Sequence, residues 1–329
     1  MPVNVALIGH VGHWGHSIQG IPDIPEAKWT CFAPGMDGEE KEAGVINHPL
    51  YSPAVRKYEK WKELLDKENI QIAIVAPRYY LAAEIATECA KKGIHIICEK
   101  PLGVTLAGLE SLKAAVKENN VKCSAMFTAR YSPWFHAAYK AVREGKIGNP
   151  ILATGQKSYK LGQRPDWMRA RKTYGGTIPW VGIHAIDWVR WITGLEYVSV
   201  SAHHGNLANP GHNELEDSAM VLYKFNNGGS AAISIDYLRP EAADTHGDDR
   251  VRVAGSEGVV EVIEEKAFII DKYGRRELEQ EKVPSHFVDF YNYVYKDRDP
   301  IISTEDSFRV TEVALKARDA ADQGKMVEL

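Results

Sequence analysis

The stretch Val3-Asn4-Val5-Ala6-Leu7-Ile8-Gly9-His10-Val11-Gly12-His13-Trp14-Gly15 decides how this chain is read. A nearly continuous apolar run leads straight into glycines at every third position. A buried strand that ends in such a turn is the usual entry to a dinucleotide site, because glycine lets backbone N–H groups approach a pyrophosphate. The spacing Gly-x-x-Gly-x-x-Gly holds one residue more than Gly-x-Gly-x-x-Gly. On the motif alone, a plain tight turn between strand and helix therefore stays open.

Downstream, short apolar runs at 29–32, 72–75, 94–98 and 121–127 alternate with helical patterns, which predicts βαβ units and a parallel sheet. Leu81, Ile85 and Cys89 recur at helical spacing and the segment closes on Gly93. Thr105 offers an N-cap for a helix carrying Leu106, Leu109, Leu112 and Val116. Residues 1–126 are thus expected to form a doubly wound Rossmann domain.

Beyond residue 127 the texture changes. An amphipathic helix near 133–144 is followed by period-two alternation, and 217–225 and 230–237 flank Asn226-Asn227-Gly228-Gly229, a hairpin signal. Alternating runs at 250–253 and 259–263 extend the sheet, and a polar helix near 304–323 follows. Residues 127–329 read as an α+β domain with a large, mostly antiparallel open sheet.

The 329 residues suffice for two domains, and the net charge of -4 offers no basis for nucleic-acid binding. No run is long enough to span a membrane, and the first apolar run is too short for a signal segment. Cys31, Cys89, Cys98 and Cys123 lack metal or disulfide spacing, which fits a reducing cytoplasm.

The acidic residue that would hold the adenosine ribose at the end of the second strand is missing. Asp37 arrives several residues late, so NAD and NADP both stay open as cofactors. His10, His13 and His16 recur every third residue, yet a turn so rich in glycine would not hold them rigidly on a metal. They are expected to face solvent or a phosphate, and no metal is expected.

Ile96-Ile97-Cys98-Glu99-Lys100-Pro101 places a lysine at the carboxyl end of a predicted parallel strand, where open α/β sheets bind ligands. An ammonium beside a dry crevice can exchange a proton, whereas a guanidinium cannot. Ala76-Pro77 at the neighbouring strand end and Glu99-Lys100-Pro101 join Gly9, Gly12, His13, Trp14 and Gly15 as candidate cofactor-binding residues.

The glycine turn, Glu99-Lys100-Pro101, Arg130-Tyr131 with Pro133, and Gly175-Gly176 leading to Gly182-Ile183-His184-Ala185-Ile186-Asp187 resemble the Gfo/Idh/MocA family, named after glucose-fructose oxidoreductase and inositol dehydrogenase. The resemblance covers essentially the whole chain. It implies a nicotinamide-dependent oxidoreductase acting on a small polyhydroxylated substrate, with Lys100 as the catalytic lysine and His184 as the histidine that bonds the reacting hydroxyl. It also implies a homodimer or homotetramer through the open sheet of the second domain. In one place the chain departs from the pattern: the family carries an Asp two residues before the Gly of the histidine motif, and this chain has Trp180.

Substrate-side candidates are Lys100, Arg130, Tyr159, Lys160, Arg164, Trp167, Trp180, His184 and His246. Residues 158–167 read as a loop mixing aromatic, cationic and amide groups, and 245–250 as a loop before a strand. Trp167 and Trp180 either stack against a sugar face or anchor the core. Hydride transfer leads the functional readings. An NAD-assisted elimination or hydrolysis and a non-catalytic nucleotide or sugar sensor are the alternatives.

Overall fold

The computed structural model describes residues 2–39, 42–209, 211 and 214–329. In chain order, β1 (Val3–Ile8), α1 (Trp14–Ile18), β2 (Ala27–Ala33), α2 (Glu42–Ile46), β3 (Arg56–Lys57), α3 (Trp61–Lys67), β4 (Ile72–Val75), α4 (Tyr79–Lys91), β5 (His95–Cys98), α5 (Leu106–Glu118) and β6 (Cys123–Ala125) come first. They are followed by α6 (Pro133–Arg143), β7 (Pro150–Lys160), α7 (Arg171–Tyr174), α8 (Ile183–Thr193), β8 (Tyr197–Gly205), β9 (Ser218–Phe225), β10 (Ser230–Arg239) and β11 (Gly247–Gly255). Last come β12 (Val259–Ile263), β13 (Lys266–Asp271), β14 (Gly274–Glu277), α9 (His286–Tyr295), α10 (Thr304–Gln323) and β15 (Val327–Glu328).

Among the described residues the strands form two sheets. The first is parallel, in the order β3-β2-β1-β4-β5-β6. Its central strands are apolar end to end because helices cover both faces: every residue of β4 is buried. The Thr105 side chain accepts from the Gly108 N–H and starts α5, and Gly93, at φ +73°, carries the chain out of α4. The sixth strand is shorter than the predicted 121–127, since pairing with β5 engages only Cys123 to Ala125.

The second sheet runs β14-β13-β12-β11-β7-β10-β9-β8-β15, antiparallel except where β7 and β10 lie parallel. Its strands alternate buried and open residues, as a sheet with one covered face must. Val189 and Ala185 of α8 approach Gly155 of β7, so helices lie on that face. The Asn226–Gly229 turn forms as expected, with the Asn227 side chain accepting from the Gly229 N–H. Two expectations are corrected here. Residues 158–160 and 247–250 are strand rather than loop, because Tyr159 pairs with Gly247 and Ser158 with Asp248 in the β7–β11 ladder. Gly and Asp carry little strand propensity of their own, so only the tertiary partner reveals them.

The division at 126/127 is also revised. The chain forms two compact units, 1–128 with 284–311 and 129–283 with 312–329. The segment 284–311 returns to the first unit because its side chains satisfy that unit's strand ends. Thr304 Oγ1 accepts from the Cys123 N–H at 3.1 Å, and Ser307 Oγ accepts from the Ala125 N–H at 2.9 Å. No described helix is long and apolar enough to cross a membrane.

Candidate active site residues in each unit

In the first unit the glycine turn is fitted closely to its neighbours. Gly9 has φ +75°, and a Cβ there would lie 2.4 Å from the backbone of Pro77. Gly12 has φ +85°, and a Cβ would lie 2.6 Å from Glu99 Oε2. Only glycine serves at both positions. At Gly15 a Cβ would meet nothing within 4 Å, so that side of the turn is open. A cradle of bare backbone with open space beside it suits a dinucleotide, so these residues fit the cofactor that the motif implies.

Two carboxylates hold the cradle. Glu99 Oε2 accepts from the His13 N–H at 2.7 Å, and Oε1 faces His13 Nδ1 at 3.1 Å. Burial works against the charge of Glu99, but His13 and Lys100 outweigh it and keep the carboxyl below its usual range. Glu99 therefore clamps the turn from beneath. Lys100, the next residue, is fully buried at the end of β5, and its peptide bond to Pro101 is cis.

The second carboxylate is Glu39, which the sequence reading missed. Its Oε2 accepts from the N–H of Gly35 at 2.9 Å and of His10 at 3.2 Å, and its Oε1 from that of Arg78 at 3.2 Å. These donors lie just past the ends of β2, β1 and β4. Burial pushes the carboxyl above its usual range, against the pull of those N–H groups and of His10. Asp37, the sequence candidate, is exposed. His10 is buried rather than facing solvent, with Nδ1 3.7 Å from Glu39. Trp14 is buried too: its indole N–H donates to the His10 carbonyl and its ring packs against Trp29 and His48. Ala76 accepts from the Val11 N–H at 2.7 Å. Among the described residues no group of three or more His, Cys, Asp or Glu could hold a metal.

In the second unit His184 is buried in the first turn of α8, directly after a π-helical turn, Ile178–Gly182. Gly182 lets the Ile235 side chain of β10 pack close, since a Cβ would lie 2.3 Å from its Cδ1. Trp180, within the π turn, is buried edge-on to Tyr174, with ring centroids 6.5 Å apart. Arg130 does something other than the expected substrate binding. Fully buried, it grips Asp187 through Nε at 3.0 Å and NH2 at 2.7 Å, anchoring α8.

The structure groups only some of the remaining candidates. Tyr159 and His246, their ring centroids 4.9 Å apart and tilted by 33°, line a cavity of about 620 Å³ together with Lys157 and Asp249. Burial and the cations Arg164, Lys157 and Lys160 lower the His246 imidazole. Lys160 Nζ is engaged by the Ala243 carbonyl, and Arg164 lies over the Tyr237 ring at 4.7 Å. Trp167 is half-buried. Tyr237, whose hydroxyl meets that of Tyr174 at 2.7 Å, is pushed up to about 12 by burial. Neither tyrosine carried a sequence signal, since Tyr237 alternates like any strand aromatic and Tyr174 closes the short helix α7.

An oxidoreductase family described by its NAD-binding Rossmann fold matches residues 31–127, and the GFO/IDH/MocA C-terminal domain matches residues 135–261. The chain belongs to the Gfo/Idh/MocA family. A solved Thermotoga maritima structure under an oxidoreductase name is 41% identical, covers 99% of this chain and 100% of its own, and superposes with a TM-score of 0.95. An uncharacterized Bacillus subtilis oxidoreductase is 30% identical over 200 residues, 60% of this chain. The chain spans 57% of that protein's length. The scyllo-inositol 2-dehydrogenase (NAD(+)) of Bacillus subtilis is 26% identical over 250 residues, 73% of this chain and 67% of its own.

Proposed function

We propose that this member of the family oxidises a secondary alcohol of a sugar, inositol or related polyhydroxylated ring, using NAD in preference to NADP. When bound, the nicotinamide supplies the hydride acceptor. Lys100 exchanges the hydroxyl proton and His184 positions the oxygen. The observation that carries this reading is the coupling of Glu99 and Lys100. One residue clamps the glycine turn, and the next holds a fully buried lysine side chain at the same strand ends. A lysine screened from bulk water beside a nucleotide turn is suited to proton exchange. The likeness to an NAD(+)-dependent inositol dehydrogenase supports the substrate class. Glu39 supports the cofactor preference, since a buried carboxylate at the ends of β1, β2 and β4 opposes an added ribose phosphate.

Lys100→Met is expected to lower turnover by roughly two to four orders of magnitude while nucleotide affinity stays near wild type. Reduced-nicotinamide absorbance across inositols, aldoses, uronates and keto-sugars measures the first, and fluorescence titration the second. Near-normal turnover in this variant would remove Lys100 from the mechanism. Trp180 favours a second reading, because an apolar ring stands where the family has an Asp: NAD held tightly for a non-redox elimination or hydrolysis. Nucleotide that co-purifies, with product formed but no net NADH, distinguishes it.

A further inference from the structure

We propose that the cavity of about 620 Å³ in the second unit is a binding site for a neutral, polyhydroxylated ring, with Lys157 and Asp249 as its polar recognition pair. This rests on the sugar or cyclitol reading above and narrows it to uncharged substrates.

The cavity has the size of a small-molecule site and a composition matched to a carbohydrate. Lys157 is a charged side chain 6% exposed, and its ammonium lies 2.5 Å from Asp249 Oδ2. The same ammonium sits over the Tyr159 ring at 4.6 Å and the Trp188 ring at 5.4 Å, which fixes its direction. Burial alone would lower the lysine, but Tyr159 and Asp249 outweigh it and hold it above its ordinary value.

The ion pair is incomplete on its own. Asp249 Oδ1 has no hydrogen-bond partner among the described residues, although that atom is shielded from water. An unsatisfied buried oxygen is unfavourable in a structure made only for stability. A ligand hydroxyl reached by rotation of the Asp249 side chain would satisfy it, while a neighbouring hydroxyl accepts from Lys157. Such pairs of hydroxyls are what a sugar or cyclitol presents. Trp134 supplies aromatic surface for the C–H face of the ring.

The acidic residues of the lining argue for a neutral ligand. Glu264 and Glu265 line the cavity from the two-residue turn between β12 and β13, at φ +50° and +59°. The left-handed conformation favours Asn or Gly, so glutamate side chains persist there against backbone preference. Lys157 is already paired with Asp249, and Arg250 with Asp248 through contacts of 2.8 and 2.7 Å. An incoming carboxylate or phosphate would meet two exposed glutamates among the lining residues, while Lys157, Arg239 and Arg250 are each already paired with an aspartate.

Calorimetry on the full chain with myo-inositol, D-glucose and D-glucuronate tests the proposal. The wild type is expected to bind at least one of the neutral probes, and to bind D-glucuronate at least about tenfold more weakly than D-glucose. Asp249→Asn, nearly isosteric, is expected to weaken the neutral probes about tenfold or more. Because that change touches a buried pair, the exposed turn supplies a second variant: Glu264→Gln with Glu265→Gln should bring D-glucuronate close to D-glucose. Unchanged affinity in Asp249→Asn, or D-glucuronate binding the wild type as tightly as D-glucose, overturns the site. Turnover of a neutral polyol alongside either result leaves the dehydrogenase reading standing. Absence of both binding and turnover for every probe overturns both.

Discussion

Glu39 carries the proposed preference for NAD. It lies six residues beyond the last residue of β2, outside the place where an acidic group is ordinarily sought, and the loop folds it back over three strand ends. A carboxylate there would oppose the added phosphate of NADP wherever the ribose of a bound nucleotide comes close to it, because like charges repel. Glu39→Gln keeps the shape and removes the charge. It is expected to reduce the preference for NAD over NADP about tenfold, read as the ratio of dissociation constants from fluorescence titration. An unchanged ratio in a variant that melts normally would mean that the cofactor phosphate is judged elsewhere. Lys100 and His184 were visible in the sequence because each sits in a short motif. Glu39, Lys157 and Asp249 were not, because their neighbours come from distant strands.

At the level of elements, α9 is tied to the first sheet through one histidine. His286 meets Ser124 Oγ at 2.8 Å and Ser17 Oγ at 3.5 Å, and burial drives its imidazole down to about 3. Above pH 6.5 the folded and unfolded chains both hold it neutral, and it adds no pH dependence. Below that, the unfolded chain takes up a proton that the folded chain refuses until about pH 3. Stability should therefore fall as pH drops through this window, by at most roughly 5 kcal/mol. Denaturant melts from pH 7 to 4 check it: His286→Gln should show a shallower acid decline than wild type, and parallel curves would count against the assignment. The sequence reading did not identify α9, whose anchor lies more than 160 residues away in the chain.

Across the whole molecule, the chain leaves its first unit at residue 128, builds the second, and returns for residues 284–311 before ending in the second. Linear reading cannot detect such a return, because the contacts that define it carry no local periodicity. The uncovered face of the second sheet displays Leu152, Met220 and Leu222, each about half exposed. Large apolar side chains on β7 and β9, which flank β10, suit burial against another copy. Light scattering is expected to show a dimer or tetramer, and Met220→Glu with Leu222→Glu to yield monomers. A wild-type monomer at micromolar concentration would rule this surface out.

What the amino-acid order determined by itself was whatever depends on near neighbours: the glycine turn, the alternation of strands and helices, the Thr105 cap, the Asn226–Gly229 hairpin and the motifs holding Lys100 and His184. These follow from backbone preference and from apolar periods of two and 3.6, which act within a few residues. Tertiary structure alone decided that Arg130 is given to Asp187, that Glu39 guards the strand ends, that residues 158–160 and 247–250 are strand, and that Lys157 and Asp249 share a cavity. Each depends on a partner far away in the chain, and a buried charge or an unpaired strand edge finds that partner only when the whole fold closes.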